Sequence, residues 1–116
     1  MQENSSREDR DELNELLRQY QNLRTGKSHA FLEEDAFERI IDYFDERDDM
    51  TKAMQAADTG LEYFPFSSQL LIKKADLLIA TRHYREALEK LDQASLFDNS
   101  DINIYILKTD AYLALD

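Results

Sequence analysis

The 116 residues carry 25 acidic against 14 basic side chains, a formal charge of −11 at pH 7, and such a surface repels nucleic-acid phosphates and anionic lipid. Two glycines, one proline and no cysteine argue against a sandwich or barrel, whose tight turns draw on glycine, and they remove disulfides, thiol nucleophiles and thiolate metal sites. With 42% hydrophobic residues, among them six tyrosines and six phenylalanines, the chain can cover a modest core, better as stacked layers than as one compact body.

In chain order, residues 1–4 read as a frayed tail. Ser5 or Ser6, followed three places later by Glu8 or Asp9, has the form of a capping box. Leu13, Leu16, Leu17, Tyr20 and Leu23 then recur at helical spacing, which predicts an amphipathic helix over 8–24. Residues 24–28 read as its stop and a loop. Five further helices are predicted over 31–47, 50–63, 68–81, 84–97 and 101–115. Pro65 disfavours helix at the residue before it and ends the third helix there. Ser67 or Ser68, and Asn99 or Ser100, are the expected amino-terminal caps of the helices that follow.

From residue 31 onward the chain resembles itself at a step of 34 residues. Phe37, Leu71 and Tyr105 fall in register, as do Phe44, Leu78 and Tyr112, and also Ile41, Ala75 and Thr109. Asp42, Asp76 and Asp110 form another column, and Ala53 meets Ala87. Ala53, Ala57 and Gly60, with Ala87, Leu91 and Ala94, form runs that put mostly small residues on one helix face, where two helix axes can approach closely. Phe37, Phe44, Leu71, Leu78 and Tyr84 are then expected to fill the space between layers. Several columns sharing one period are the mark of a repeat architecture.

Leu71, Ala75, Leu78, Tyr84, Ala87, Leu91 and Ala94, echoed earlier by Phe37, Ile40, Phe44, Ala53 and Pro65, resemble the tetratricopeptide repeat family. The resemblance covers about residues 34–116. It implies an all-α fold, a right-handed superhelix of antiparallel helix pairs, about two and a half repeats long (34–67, 68–101 and a partial 102–116), preceded by residues 1–30 as a tail and a helix that is a cap or a degenerate repeat. The sequence departs from the family pattern at Ile41 and Thr109, where a small residue is usual, and at Asn99, where the first copy has Pro65. It further implies a concave wall lined by the first helix of each pair, where such proteins hold a segment of a partner.

Projected onto that pattern, the wall presents Asp35, Glu38, Asp42 and Asp45 from the first pair and Gln69, Ile72, Asp76 and Ile79 from the second. Asn103, Ile106, Asp110 and Leu113 come from the last helix. The aspartates form a ladder, and Ile72, Ile79, Ile106 and Leu113 form an apolar strip beside it. Some members of the family clamp a terminal carboxylate with lysine, arginine and asparagine on this wall; here aspartate or apolar residues stand in those places. The expected function is protein binding, as a scaffold or adaptor that takes an apolar segment with basic flanks. A solvated acidic face on an acidic protein is the competing reading, and self-association within a longer repeat protein is the alternative function.

The last helix is apolar over most of its circumference, from Ile102 through Tyr105, Ile106, Tyr112 and Leu113 to Leu115, and such a helix is expected to be covered on several sides. Two explanations stay open: a piece of a longer repeat protein, or a homodimer through this helix. No stretch reaches the about 18 apolar residues of a membrane span, and a soluble, cytoplasmic setting is the expectation.

Chemistry is sought and not found. Gly26-Lys27-Ser28 resembles the end of a phosphate-binding loop, but Gln21 stands where that motif needs glycine, and a helix precedes it where a strand is required. Asp45, Glu46, Asp48 and Asp49 lack the spacing and central glycine of a calcium loop. His29 and His83 have no second histidine at metal spacing. No enzyme, cofactor or metal is expected.

Overall fold

The computed structural model describes residues 2–27 and 31–116, with side chains from Ser6 onward. Six helices account for them: α1 (Gln2–Arg24), α2 (Glu34–Glu46), α3 (Met50–Tyr63), α4 (Ser68–Ala80), α5 (Tyr84–Phe97) and α6 (Ile102–Leu115). Among the described residues there is no strand, and none of these helices is long and apolar enough to cross a membrane.

Two boundaries differ from the spacing by more than one residue. The first helix begins at Gln2 rather than near residue 8, so Ser5 and Ser6 lie inside it rather than at its start. The second begins at Glu34, three residues late, because residues 31–33 run in extended form and Leu32 drops into the core instead, where it is 3% exposed.

Three of the later starts are capped by a side chain. The Asp49 carboxylate accepts from the Lys52 N–H (3.1 Å) at the head of α3. The Ser67 hydroxyl accepts from the Leu70 N–H (3.1 Å) and donates to the Glu34 carboxylate, so one side chain caps α4 and ties it back to α2. At α6 the cap is Asp101, accepting from the Asn103 N–H (2.9 Å), and not Asn99 or Ser100. Ser100 is engaged elsewhere: its N–H and hydroxyl both donate to Asp98. Pro65 acts as expected, and α3 stops at Tyr63 with the Phe64 N–H still bonded to the Gly60 carbonyl (2.8 Å).

The 34-residue step reappears in the backbone. At the end of α2 the Asp49 N–H donates to the Phe44 carbonyl (2.9 Å) and the Asp48 N–H to the Asp45 carbonyl (3.0 Å). At the end of α4 the His83 N–H donates to the Leu78 carbonyl (2.7 Å) and the Arg82 N–H to the Ile79 carbonyl (3.0 Å). Both are Schellman turns. Both place a residue with a side chain in the left-handed region, Asp48 at φ 57° and Arg82 at φ 67°. Such short turns fold each helix back against the one before it.

Every helix touches its chain neighbour from α1 to α6, α1 and α2 through the smallest of these contacts; in addition α2 touches α4, and α4 touches α6. Two apolar clusters fill the space between them. The first gathers Phe37, Ile40, Ile41, Ala53, Ala57 and Leu70, with Leu16, Leu17, Tyr20 and Leu23 of α1 laid against them. The second gathers Leu71, Ala75, Leu78, Ala87, Leu91, Ala94 and Ile104. Phe37 and Leu71, Ala53 and Ala87, and Leu70 and Ile104 are equivalent at the repeat step and all are buried.

Gly60 shows why small residues are needed. A methyl placed there would lie 3.0 Å from the Phe37 ring and 3.1 Å from Leu70, tighter than carbon atoms pack without displacement. An ion pair joins successive layers in the same register. Lys74 reaches Asp58 (2.6 Å) and Lys108 reaches Asp92 (2.8 Å), each from a first helix to the second helix of the preceding pair. Both lysine stems are largely covered and only their heads meet water.

Two substitutions test this packing. Gly60→Val overpacks the α2–α3 crossing and should lower stability by about 1–3 kcal/mol in urea unfolding. Arg82→Gly relieves a left-handed backbone at little cost elsewhere and should raise stability by roughly 0.5–1 kcal/mol in the same measurement.

Candidate functional site

Because α4 touches both α2 and α6, the three first helices stand side by side, and residues at equivalent turns meet across them. The Lys73 amine of α4 donates to the Asp42 carboxylate of α2 (2.8 Å). Burial pushes the Asp76 carboxyl above the usual aspartate range; Asp45, Asp110 and Asp42 push it the same way, and Lys73 alone opposes them. Burial likewise raises Glu38, against the pull of Lys73 and with the help of Glu34, Asp42 and Asp35. Asp42, Asp45, Asp76 and Asp110 therefore share one field across three helices.

The remaining wall positions divide. Asp35, Gln69, Asn103 and Asp110 are exposed, and the Gln69 side-chain amide donates to Asp101 (3.3 Å). Ile106 and Leu113 are 51% and 68% exposed, and Ile79 is half-buried. Ile72 is not on offer: at 7% exposure it belongs to the second apolar cluster, packed with Leu71, Ala75 and Ile104. The apolar strip is consequently shorter than the spacing predicts, concentrated on α6 with Ile79 beside it.

Lys73 is the residue that spacing does not reveal. It stands next to Ile72 in sequence, and only the α2–α4 contact turns it into the counter-ion of Asp42. A second unanticipated feature is an aromatic ridge at the loops between helix pairs. Phe66 and Phe97 lie with ring centroids 5.3 Å apart, and Phe31 stands edge-on to Phe64 at 6.0 Å. Phe31 and Phe66 are largely exposed. Two open clefts lie beside α1, one against the start of α2 with the wall residue Asp35 in its lining, the other against α3.

Among the described residues, no group of three or more histidine, aspartate or glutamate side chains is arranged to hold a metal ion. His83 sits at the head of α5 with its ring against the Thr81 hydroxyl (2.9 Å), a turn contact. His29 and Ser28 lie outside the described residues. Comparisons with protein-family models, with curated proteins and with solved structures give no match.

The raised Asp76 pKa has a consequence for stability. A carboxyl whose folded pKa exceeds its unfolded one penalises the folded state whenever it is charged, and the penalty fades as pH falls toward the unfolded value of about 3.9. Asp76→Asn should therefore stabilise the protein at pH 7, by less than about 1 kcal/mol given the solvent screening of a partly exposed group. Thermal melts should show that gain shrinking as pH is lowered to 4 and as salt is added.

Proposed function

We propose that this chain is a protein-interaction module, a solenoid of tetratricopeptide-type helix pairs whose α2–α4–α6 wall grips a segment of a partner. The repeat reading is supported by the Schellman turns, the Lys74–Asp58 and Lys108–Asp92 pairs and the Ala53–Ala87 column, all recurring at one 34-residue step. The family assignment rests on those residues and on the sequence signature.

One observation carries the functional reading: burial, and then Asp45, Asp110 and Asp42 on the two neighbouring helices, all raise the cost of ionising Asp76 instead of leaving it an isolated carboxylate. A fold gains nothing from that arrangement, since the mutual repulsion of like charges costs free energy. A cationic ligand would turn the cost into attraction. Lys73 answers Asp42, but no lysine or arginine is recorded in an ion pair with Asp76 or Asp110 among the described residues. Ile106 and Leu113 next to them supply exposed apolar area. The ligand that fits is an extended or helical protein segment with an apolar centre and lysine or arginine flanks. Binding would place charge opposite charge and steer the encounter at low salt. The wall offers neither an activated nucleophile nor an acid–base pair, and we assign it no catalysis.

Calorimetry with two synthetic peptides of identical leucine-rich centre, one flanked by lysine and one by glutamate, tests this proposal. The lysine peptide should bind at least about ten-fold more tightly, a difference of roughly 1.4 kcal/mol. Its advantage should fall in high salt, and Asp76→Lys with Asp110→Lys should abolish it. Equal or tighter binding of the glutamate peptide would refute the assignment.

A further inference from the structure

The outer face of α6 is a broad uncovered apolar surface. Ile102, Tyr105, Ile106, Tyr112 and Leu113 are 68%, 54%, 51%, 56% and 68% exposed. Around the helix they and Thr109 fall in one arc, at spacings of three and four, opposite the buried Ile104 and Ala111. In heptad terms Ile102 and Thr109 take one seam position, Tyr105 and Tyr112 the other, and Ile106 and Leu113 flank them. That is the pattern of a helix face made to meet another helix. The equivalent residues one and two repeats earlier, Leu71 with Leu78 and Phe37 with Phe44, are each covered by the second helix of their own pair.

The geometry points to a second copy of this chain as the occupant, with two α6 helices packed antiparallel about a two-fold axis. The stripe is complementary to itself. Laid antiparallel with the axis passing near Leu107, it sets Tyr105 over the smaller Thr109 of the other copy and Ile102 beside the other Tyr112, with the same two contacts repeated across the axis. No charged residue lies within the stripe. Asp110 stands at its margin, on the side of the acidic wall, and Lys108 is turned away onto Asp92, so the contact buries no unpaired charge. The exposed fractions amount to roughly 500 Å² per copy, the size of the largest patch on an ordinary monomer. Two such faces bury on the order of 1,000 Å², which suits a weak, micromolar dimer. The net charge of −11 on each copy opposes association at long range without touching the seam. The dimer should therefore tighten with added salt.

Sedimentation equilibrium on the 116-residue chain, from about 5 µM to about 300 µM, covers the range in which an interface of this area populates a dimer. The expected result is a reversible monomer–dimer equilibrium that strengthens several-fold between 50 mM and 500 mM sodium chloride and is lost in Tyr105→Asp and in the milder Tyr112→Ser. Both variants alter exposed side chains, and unchanged circular dichroism would confirm that they fold. A monomer throughout the range overturns the proposal, as does a dimer indifferent to both substitutions. So does a face that becomes protected from hydrogen exchange only when the lysine-flanked peptide is added, because that outcome makes it part of the groove. The salt response separates this contact from peptide binding on the wall, which weakens as salt rises, so either can fail without the other.

Discussion

Close approach of paired helices is the constraint on which the rest depends. Where α3 crosses α2, Gly60 leaves no space for a methyl group between itself and the Phe37 ring, and at the equivalent place on α5 stands the fully buried Ala94. Small residues let the axes come together, and the space they leave is taken by Phe37 and Leu71, which reach across to the second helix of their own pair. That interlock fixes the angle of each pair. The Ser67 cap bound to Glu34, and the lysine–aspartate pairs between layers, then hold one pair against the next. The contacts of α4 with α2 and α6 then bring Asp42, Asp76 and Asp110 onto adjoining helices.

The two candidate surfaces obey opposite electrostatics. On the wall, like charges are concentrated and partly desolvated, so that Asp76 and Glu38 are held above the normal carboxylate range. On the proposed function, attraction of a cationic segment relieves that cost and is sensitive to salt. On the outer face of α6 the seam is uncharged, and burial of apolar area is the driving force. Ile106 and Leu113 stand on the border between the two, which gives the last helix a part in both.

Much of the fold was legible because the period is strong. Helix ends at Tyr63 and Phe97 fell where the spacing put them, since Pro65 and the 34-residue step mark them independently. The start of α1 was not legible: Ser5 and Ser6 are good caps by type, but they are equally tolerated inside a helix that is solvated on most sides. Asp101 was not legible as a cap because the spacing starts the helix at 101, one residue early, and Asn, Ser and Asp are equally good caps by type; only the Asp98–Ser100 turn shows that Ser100 is already engaged. At the wall, the aspartate ladder could be read from position alone. Ile72 could not, because whether a wall residue is exposed depends on how tightly α4 sits against its neighbours. Lys73 was hidden for the same reason: ion pairs between helices depend on packing, and sequence spacing predicts only those within one helix.

The interlock within each helix pair can be observed directly by nuclear Overhauser spectroscopy on isotope-labelled protein. The account predicts strong cross-peaks from the Gly60 α protons to the Phe37 ring, and equivalent cross-peaks 34 residues later from the Ala94 methyl to the Leu71 methyls. Cross-peaks at the first position without their counterpart at the second, or at neither, would contradict a repeated packing unit and with it the wall assembled from three helices.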